Sequence, residues 1–399
     1  MQGDGIVIVG GGICGLATAL ALHRKGIPSL ILEQAESLRA TGFAITIHTN
    51  GWRALDQLGV GSKLRLTARS LDSFHEIFLD KGVDRRFPFG KEEIRTVKRN
   101  DLIEAMAKEL PAGTIHFGCR VVAITLDAFS SDPMLKLHDG SVIKSKVVIG
   151  CDGVNSVVSR FLELKPPNFY DLCAIRSFTN YPTGHGLDNE FTRIRKGGLL
   201  VVRAPVDDNI VYWLVGDNCR SRDSSIPQDM EHFKQSIVQK IQAMDPDIVE
   251  MVEKSDIHSL SVYPLRCCPP WDILLGNFHK GNVVVAGDAM HVMTPFLGQG
   301  GSACLEDAVV LARCMAQTLS LVDLKSNGQL MLWGKATDAF EQYIRERRMR
   351  LFWLSLQVYL IGLLDEPSTS TLIRFVCSCL LILLFRDFQG HTKYDCGRL

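Results

Sequence analysis

Charge of one sign does not dominate this chain: 44 Lys and Arg stand against 44 Asp and Glu, a formal net charge of zero. A nucleic-acid binder needs a basic patch or stripe, so composition argues against one. The one basic cluster, Arg345, Arg347, Arg348 and Arg350, has helical spacing and reads as a solvated face. Twelve cysteines are present, yet no C-x-x-C occurs. Cys267-Cys268 and Cys377-x-Cys379 are too close for the usual metal or dithiol spacings, so no metal is expected. Cys14, Cys304 and Cys314 sit in apolar runs and read as buried, reduced thiols of an intracellular protein. No apolar run reaches the ~20 residues of a spanning helix. Two C-terminal runs, 351–364 and 375–385, are read as helices packed on the body, with peripheral membrane contact as the alternative. Signal and transit peptides are not expected, because the first strand begins by about Gly5. The expected location is cytoplasmic.

What the chain does contain begins at its N-terminus. Ile6 to Val9 is a β-branched run suited to a buried parallel strand, and Gly10 to Gly12 breaks it. Ile13 to Lys25 has helical spacing, closed by Gly26, and Ser29 to Leu32 reads as the next strand. Further on, Met134 to Leu137 and Ser141 to Lys144 read as a hairpin, with Lys146 to Ile149 as a separate buried strand. Alternating segments such as Leu199 to Arg203 and Ile210 to Val215 indicate an antiparallel sheet, after which the apolar strand Asn282 to Ala286 returns. The expected class is therefore α/β: a Rossmann-like domain with an inserted, mainly antiparallel substrate sheet and a C-terminal helical segment. The corresponding boundaries are 1–70, 92–165 and 270–350 for the first domain, 71–91 and 166–269 for the second, and 351–399 for the helical segment.

Three local motifs carry chemistry. Gly10-Gly11-Gly12-Ile13-Cys14-Gly15 is a G-x-G-x-x-G turn between strand and helix, where backbone N–H groups and the helix dipole meet a pyrophosphate. Glu33, at the end of the second strand, suits the hydroxyls of an adenosine ribose. Gly287-Asp288 ends a strand, where a carboxylate can hold a polyol hydroxyl. Pro295-Phe296-Leu297-Gly298-Gln299-Gly300-Gly301 then leads into a helix whose N-terminus favours negative charge. Asp152-Gly153-x-x-Ser156 opens another helix, and there Asp152 either caps the helix or faces a cofactor.

Taken in order, these motifs resemble the class A FAD monooxygenases, the salicylate and hydroxybenzoate hydroxylases and zeaxanthin epoxidase among them, and are most similar to the plant members. The resemblance spans about Gly5 to Arg350. In one departure, Ser159 stands where the family carries an arginine, and Arg160 comes one place late. The resemblance implies FAD as cofactor, with NADPH or NADH as a visiting co-substrate, since no second G-x-G-x-x-G exists. Reduced flavin would capture O₂ as a C4a-hydroperoxide and pass one oxygen to a small aromatic or otherwise electron-rich substrate. The expected cofactor contacts are Gly10, Gly12, Ile13, Gly15, Glu33, Gln34 and Arg99, then Val122, Asp152, Asp288, Pro295, Gly298, Gly300 and Gly301. His48, Tyr212 and Pro295 are the candidates for catalysis, while Arg193, Arg195 and Arg203 on the substrate sheet are candidates to pair with a substrate carboxylate.

Rival flavin chemistries lack their residues. A halogenase carries W-x-W-x-I-P, but Trp52, Trp213, Trp271, Trp333 and Trp353 stand apart, and a disulfide oxidoreductase needs the missing cysteine pair. A reductase or dehydrogenase of the same fold, and a catalytically silent flavin-binding module, stay open as alternatives.

Overall fold

In a computed structural model, which describes residues 3–38, 44–218, 229–323, 336–366, 369–387 and 389–399, the β-branched N-terminal run is the centre of an eight-stranded sheet. The strand Gly3–Val9 pairs in parallel with Ser29–Leu32 on one side and Val142–Gly150 on the other. Ile115–His116 extends one edge, and Val283–Val285 with His279–Lys280 the other. Ile6, Val7 and Ile8 are buried, as strands covered on both faces require. The helix Ile13–Arg24, buried from Cys14 to Leu22, lies against the long helix Gly300–Asp323.

Val142–Gly150 is one strand, not a hairpin arm followed by a separate strand. Its first half pairs antiparallel with Pro133–Leu137, and its second half pairs in parallel with Gly3–Val9 and Val283–Val285. Ser145 sits at the joint, its hydroxyl donating to Gly5 O (2.9 Å) and Val147 O (2.7 Å). The sequence shows two burial patterns because the strand has two sets of neighbours.

A seven-stranded sheet runs in the order Ser261–Cys267, Asn168–Asn180, Ile210–Asn218, Leu199–Pro205, Glu190–Lys196, Ser73–Phe78, Val83–Pro88. Every pairing is antiparallel except that of Glu190–Lys196 with Ser73–Phe78. Side chains alternate between its faces. Ile175, Ile194, Val201, Val211, Trp213 and Val215 pack with residues of the helices Met230–Ile241 and Pro246–Glu253. The fold is α/β, with this largely antiparallel sheet beside the parallel one and helices at the C-terminus.

The helix Ala336–Asp365 runs without a break across residue 350. Arg345 is exposed as expected, but the other three arginines of the cluster overturn the expectation of a solvated face. Arg347 is fully buried, its guanidinium 2.7 Å from both Glu306 and Asp307. Arg348 donates to the carbonyls of Ile273, Leu274 and Gly276, and Arg350 to Glu306 and to His391 O. Asp307 in turn accepts from Gly287 N (2.9 Å) and pairs with His291 Nε2 (2.5 Å). Asn50 Nδ2 donates to Glu306 at 2.6 Å and to Gln299 at 2.8 Å. One buried network thus joins four segments distant in sequence.

The first C-terminal apolar run packs as expected, through Leu351, Leu354, Val358 and Ile361. The second does not: in the helix Thr371–Leu384 only Cys377 is buried. Among the described residues no helix is long and apolar enough to cross a membrane. Cys14, Cys304 and Cys314 are buried and free, as expected, whereas Cys173, which that reading did not name, is disulfide-bonded.

Burial disfavours the charge on Asp307, yet His291 and Arg347 hold its carboxyl down to about 2. Removing one partner of such a network typically destabilises by about 3–5 kcal/mol. Asp307→Asn should therefore lower the urea midpoint strongly at neutral pH. A carboxylate depressed in the folded state contributes stability above its unfolded pKa near ~4, and loses it as pH falls through about 2. The gap between wild type and variant should close over that window; a gap independent of pH would refute the account.

Candidate active site

A cavity of about 1770 Å³ is lined by residues of both large sheets. The expected cofactor contacts and the three catalytic candidates all lie on its wall except Gly15. That residue acts from behind: a Cβ there would sit 1.9 Å from Gly10 O, so the glycine lets helix and strand close up. Gly10, at φ +101°, admits the neighbouring strand end, since a Cβ would lie 2.5 Å from Cys151 O. Gly12 differs from both. A Cβ there meets no protein atom within 4 Å, and the helix it caps has no side-chain cap. The turn is closed toward the protein and open toward the cavity, as a backbone cradle for phosphate must be.

Glu33 is buried against this turn. Its carboxylate accepts from Gly11 N (2.7 Å) and Ala35 N (2.9 Å), and the residue lines the cavity. Gln34 stands exposed at the rim, Arg99 opens the helix Arg99–Ala107, and Val122 lies on the strand Val121–Leu126.

Asp288 follows Gly287, which takes φ +64° because a Cβ would strike Cys14 Sγ at 2.8 Å. The Asp288 side chain is open to the cavity but enclosed by protein. Burial raises its carboxyl above the usual range; His291 opposes the shift and Asp307 reinforces it. Pro295 projects from the short turn Pro295–Leu297, and Gly298 (φ +62°) passes close to His48. Gly300 and Gly301 begin the helix Gly300–Asp323, whose N-terminus meets the cavity wall.

Asp152 lines the cavity and also holds the next helix: Ser156 Oγ donates to its Oδ1 at 2.5 Å and Val157 N to its Oδ2 at 2.6 Å. Ser159, in the family's arginine position, donates to Ala289 O at 2.6 Å and ties that helix to the Asp288 loop.

One face of the seven-stranded sheet forms the opposite wall. Leu172, Ala174 and Arg176 alternate on one strand, Phe191, Arg193 and Arg195 on another, and Tyr212 and Leu214 on a third. Arg193 pairs with Glu76, and Arg195 is bidentate to Asp365 at 2.7 and 2.9 Å. Arg203 points to the other face, in the same parity as Val201. Neither wall arginine of the expected set is therefore without a carboxylate of its own. The sequence reading missed Arg176, whose guanidinium lies 4.4 Å from the Tyr263 ring centre. Burial pushes the Tyr212 and Tyr263 hydroxyls above their usual range, with Arg176 opposing. Alternation through Ala174 gives the parity of Arg176, but not its side. Also missed were His391 and Thr392, which line the cavity from the C-terminal tail. Nothing local in the sequence signals them. His391 faces His48 with ring centres 6.3 Å apart. Burial, then the like charge of His391, lowers His48 to about 3, so that His48 is neutral at physiological pH.

These features fit FAD: an open backbone cradle at a helix start, an acid at the second strand's end, and an enclosed carboxylate near a second helix start. The sequence profile described as "FAD binding domain" matches residues 5–321. The chain is 45% identical to "Monooxygenase 1" of Arabidopsis thaliana, over the whole of both chains. It is 37% identical to "Monooxygenase 2" of the same plant, over 99% of this chain and 98% of that one. Among solved structures, Klebsiella pneumoniae HpxO complexed with FAD and uric acid has a TM-score of 0.80 at 20% identity, covering 98% of this chain and 97% of that one. This last likeness concerns the fold.

Two variants separate cradle from scaffold. Gly12 already has φ −78°, which alanine adopts freely, so Gly12→Ala should leave the melting temperature of the apoprotein unchanged. The added methyl should nevertheless cut the flavin content of purified protein; equal content in both proteins would remove Gly12 from the contact. Asp288→Ala should weaken FAD binding roughly ten- to hundredfold in a fluorescence titration, from the loss of one hydrogen bond involving a charged group. Unchanged affinity would place Asp288 outside the site.

Proposed function

The chain belongs to the FAD-dependent monooxygenase family, and from that premise we propose that it uses NADPH or NADH and O₂ to insert one oxygen atom into a small aromatic or otherwise electron-rich substrate. The observation that carries this reading is the continuity of the cavity: the glycine turn and the Asp288 loop share one space with the aromatic and arginine face of the seven-stranded sheet.

Gly10, Gly12 and Ile13 would hold the pyrophosphate, Glu33 the adenosine ribose, and Asp288 a polyol hydroxyl. Pro295 and Gly298 to Gly301 would lie along the flavin ring, where the start of the helix Gly300–Asp323 favours negative charge. Bound FAD supplies hydride acceptance and activation of O₂. The nicotinamide visits, since the chain carries no second glycine-rich dinucleotide turn.

On the substrate side, Phe74, Phe191 and Phe296 line the cavity and exclude water. Tyr212 keeps its proton at neutral pH, because burial raises its pKa, and so serves as a hydrogen-bonding group rather than a base. Arg176, between Tyr212 and Tyr263, favours a substrate with a phenolate or carboxylate character. His48 is neutral and orients by hydrogen bonding without storing a proton.

Flavin reduction should be gated by substrate. A substrate that contributes ~2–4 kcal/mol to the reduction transition state would accelerate it on the order of 30- to 1,000-fold. Anaerobic stopped-flow with NADPH, with and without a phenolic acid found by screening, measures this. ¹⁸O₂ labelling of the aerobic product tests the reaction class. A product free of ¹⁸O would exclude oxygenation and favour a dehydrogenase; absence of turnover with every electron donor would favour a silent flavin-binding module.

A further inference from the structure

We propose that the helix Thr371–Leu384 is a membrane-interface helix whose outer face docks on the surface of an anionic lipid bilayer. The helix meets the protein along a narrow seam. Cys377 is buried, and Leu381 packs with Leu297, Val358 and Ile361. Around the rest of its circumference Leu372, Phe375, Ile382 and Leu383 are 72%, 67%, 70% and 63% exposed. At 3.6 residues per turn, the exposed apolar positions sweep roughly 200°. A helix packed on one protein neighbour buries a stripe nearer about 100°.

Polarity points the same way. Ser378 Oγ donates back to Arg374 O (2.9 Å), and Arg374 donates to Glu366 O (2.9 Å), so the polar groups of the helix turn toward its own backbone and the chain before it. A protein interface carries about one hydrogen bond per 100–200 Å² and a polar rim. This face offers neither, and hydrocarbon demands neither. Residues 371–386 contain Arg374 and Arg386 and no acid, while the next residue, Asp387, is paired with Lys393. Exposed Arg386 at the end of the apolar face suits anionic headgroups. Trp353, itself exposed, stacks edge-on with Phe385 at 6.0 Å, which places an amphipathic ring at the end of the arc. Fourteen residues span about 21 Å, so the helix lies on a bilayer rather than across it. Asp365 before the helix and Arg386 after it both line the cavity, so docking sets that rim at the lipid surface.

The proposal is independent of the reaction above, because its test needs no turnover. FAD-loaded full-length protein is floated with vesicles of equal parts phosphatidylcholine and phosphatidylserine, and with vesicles of phosphatidylcholine alone. Flotation with the mixed vesicles, weaker with the neutral ones, is expected. Phe375→Glu with Leu383→Glu should reduce partitioning on the order of 100-fold, through two lost apolar anchors. Both side chains face solvent, so the melting temperature and flavin content should be retained, which separates lost docking from misfolding. Wild-type protein left unfloated by the mixed vesicles, or flotation unaffected by the double variant, would overturn the proposal. So would a dimer, seen by light scattering, that the double variant splits in the absence of any vesicle binding, since that outcome gives the face to a second copy of the chain.

Discussion

The carboxylate of Asp307 is the constraint on which the site depends. It is fully buried and meets three donors from three places: Gly287 N, His291 Nε2 and Arg347 Nε. Taking these charges out of water costs several kcal/mol per ion, which the opposite charges and donors around Asp307 offset. What it secures is position. Gly287 is the residue before Asp288, and Asp307 lies on the helix that begins at Gly300. The acid that faces the cavity and the helix start that faces the cavity are thereby fixed to each other. Glu306, one residue earlier, extends the hold to Asn50 and so to the segment that carries His48.

The glycines do complementary work at the other anchor. Gly10 and Gly15 are needed because protein atoms occupy the space of a Cβ, whereas Gly12 is open because no protein atom does. The Asp288 carboxylate is likewise open to the cavity, and the surrounding protein raises it above the usual range. A ligand that bonds it recovers that desolvation and, by binding only the folded state, stabilises the protein.

These local features were legible in the sequence because their signal is local. Gly10 to Gly15 sit between a strand and a helix within thirty or so residues, and Gly298 to Gly301 make poor helix and poor core, so they advertise themselves. Three things escaped for physical reasons. Arg347 has a spacing compatible with a solvated face, and its partners Glu306 and Asp307 lie forty residues away across a helix pair. Asp152 offers the same dipeptide whether it holds a helix or faces a cavity, and the folded chain does both, through the bonds to Ser156 and Val157 and a place on the cavity wall. For Arg193, Arg195 and Arg203, alternation fixes parity along a strand but not side. Arg203 pairs across to Thr192, whose neighbours in sequence face the other way, so it turns from the cavity that Arg193 and Arg195 line. Register between strands is a tertiary fact.

The same register argues about chemistry. The wall brings Arg193 and Arg195 to the cavity with carboxylates already attached, Glu76 and Asp365, which leaves a substrate anion little net charge to meet at those points. Arg176 instead faces two phenols held in their protonated form. The guanidinium stands among hydroxyl groups, its Nε donating to Ser261 Oγ at 3.2 Å, and the buried phenols can turn their hydroxyls to suit a neighbour. Neither Tyr212 nor His48 changes protonation near neutral pH, the first held up by burial and the second held down by it. Under the reading proposed above, neither residue would take a proton from the substrate, and the part of Arg176 would be to favour negative charge already on it.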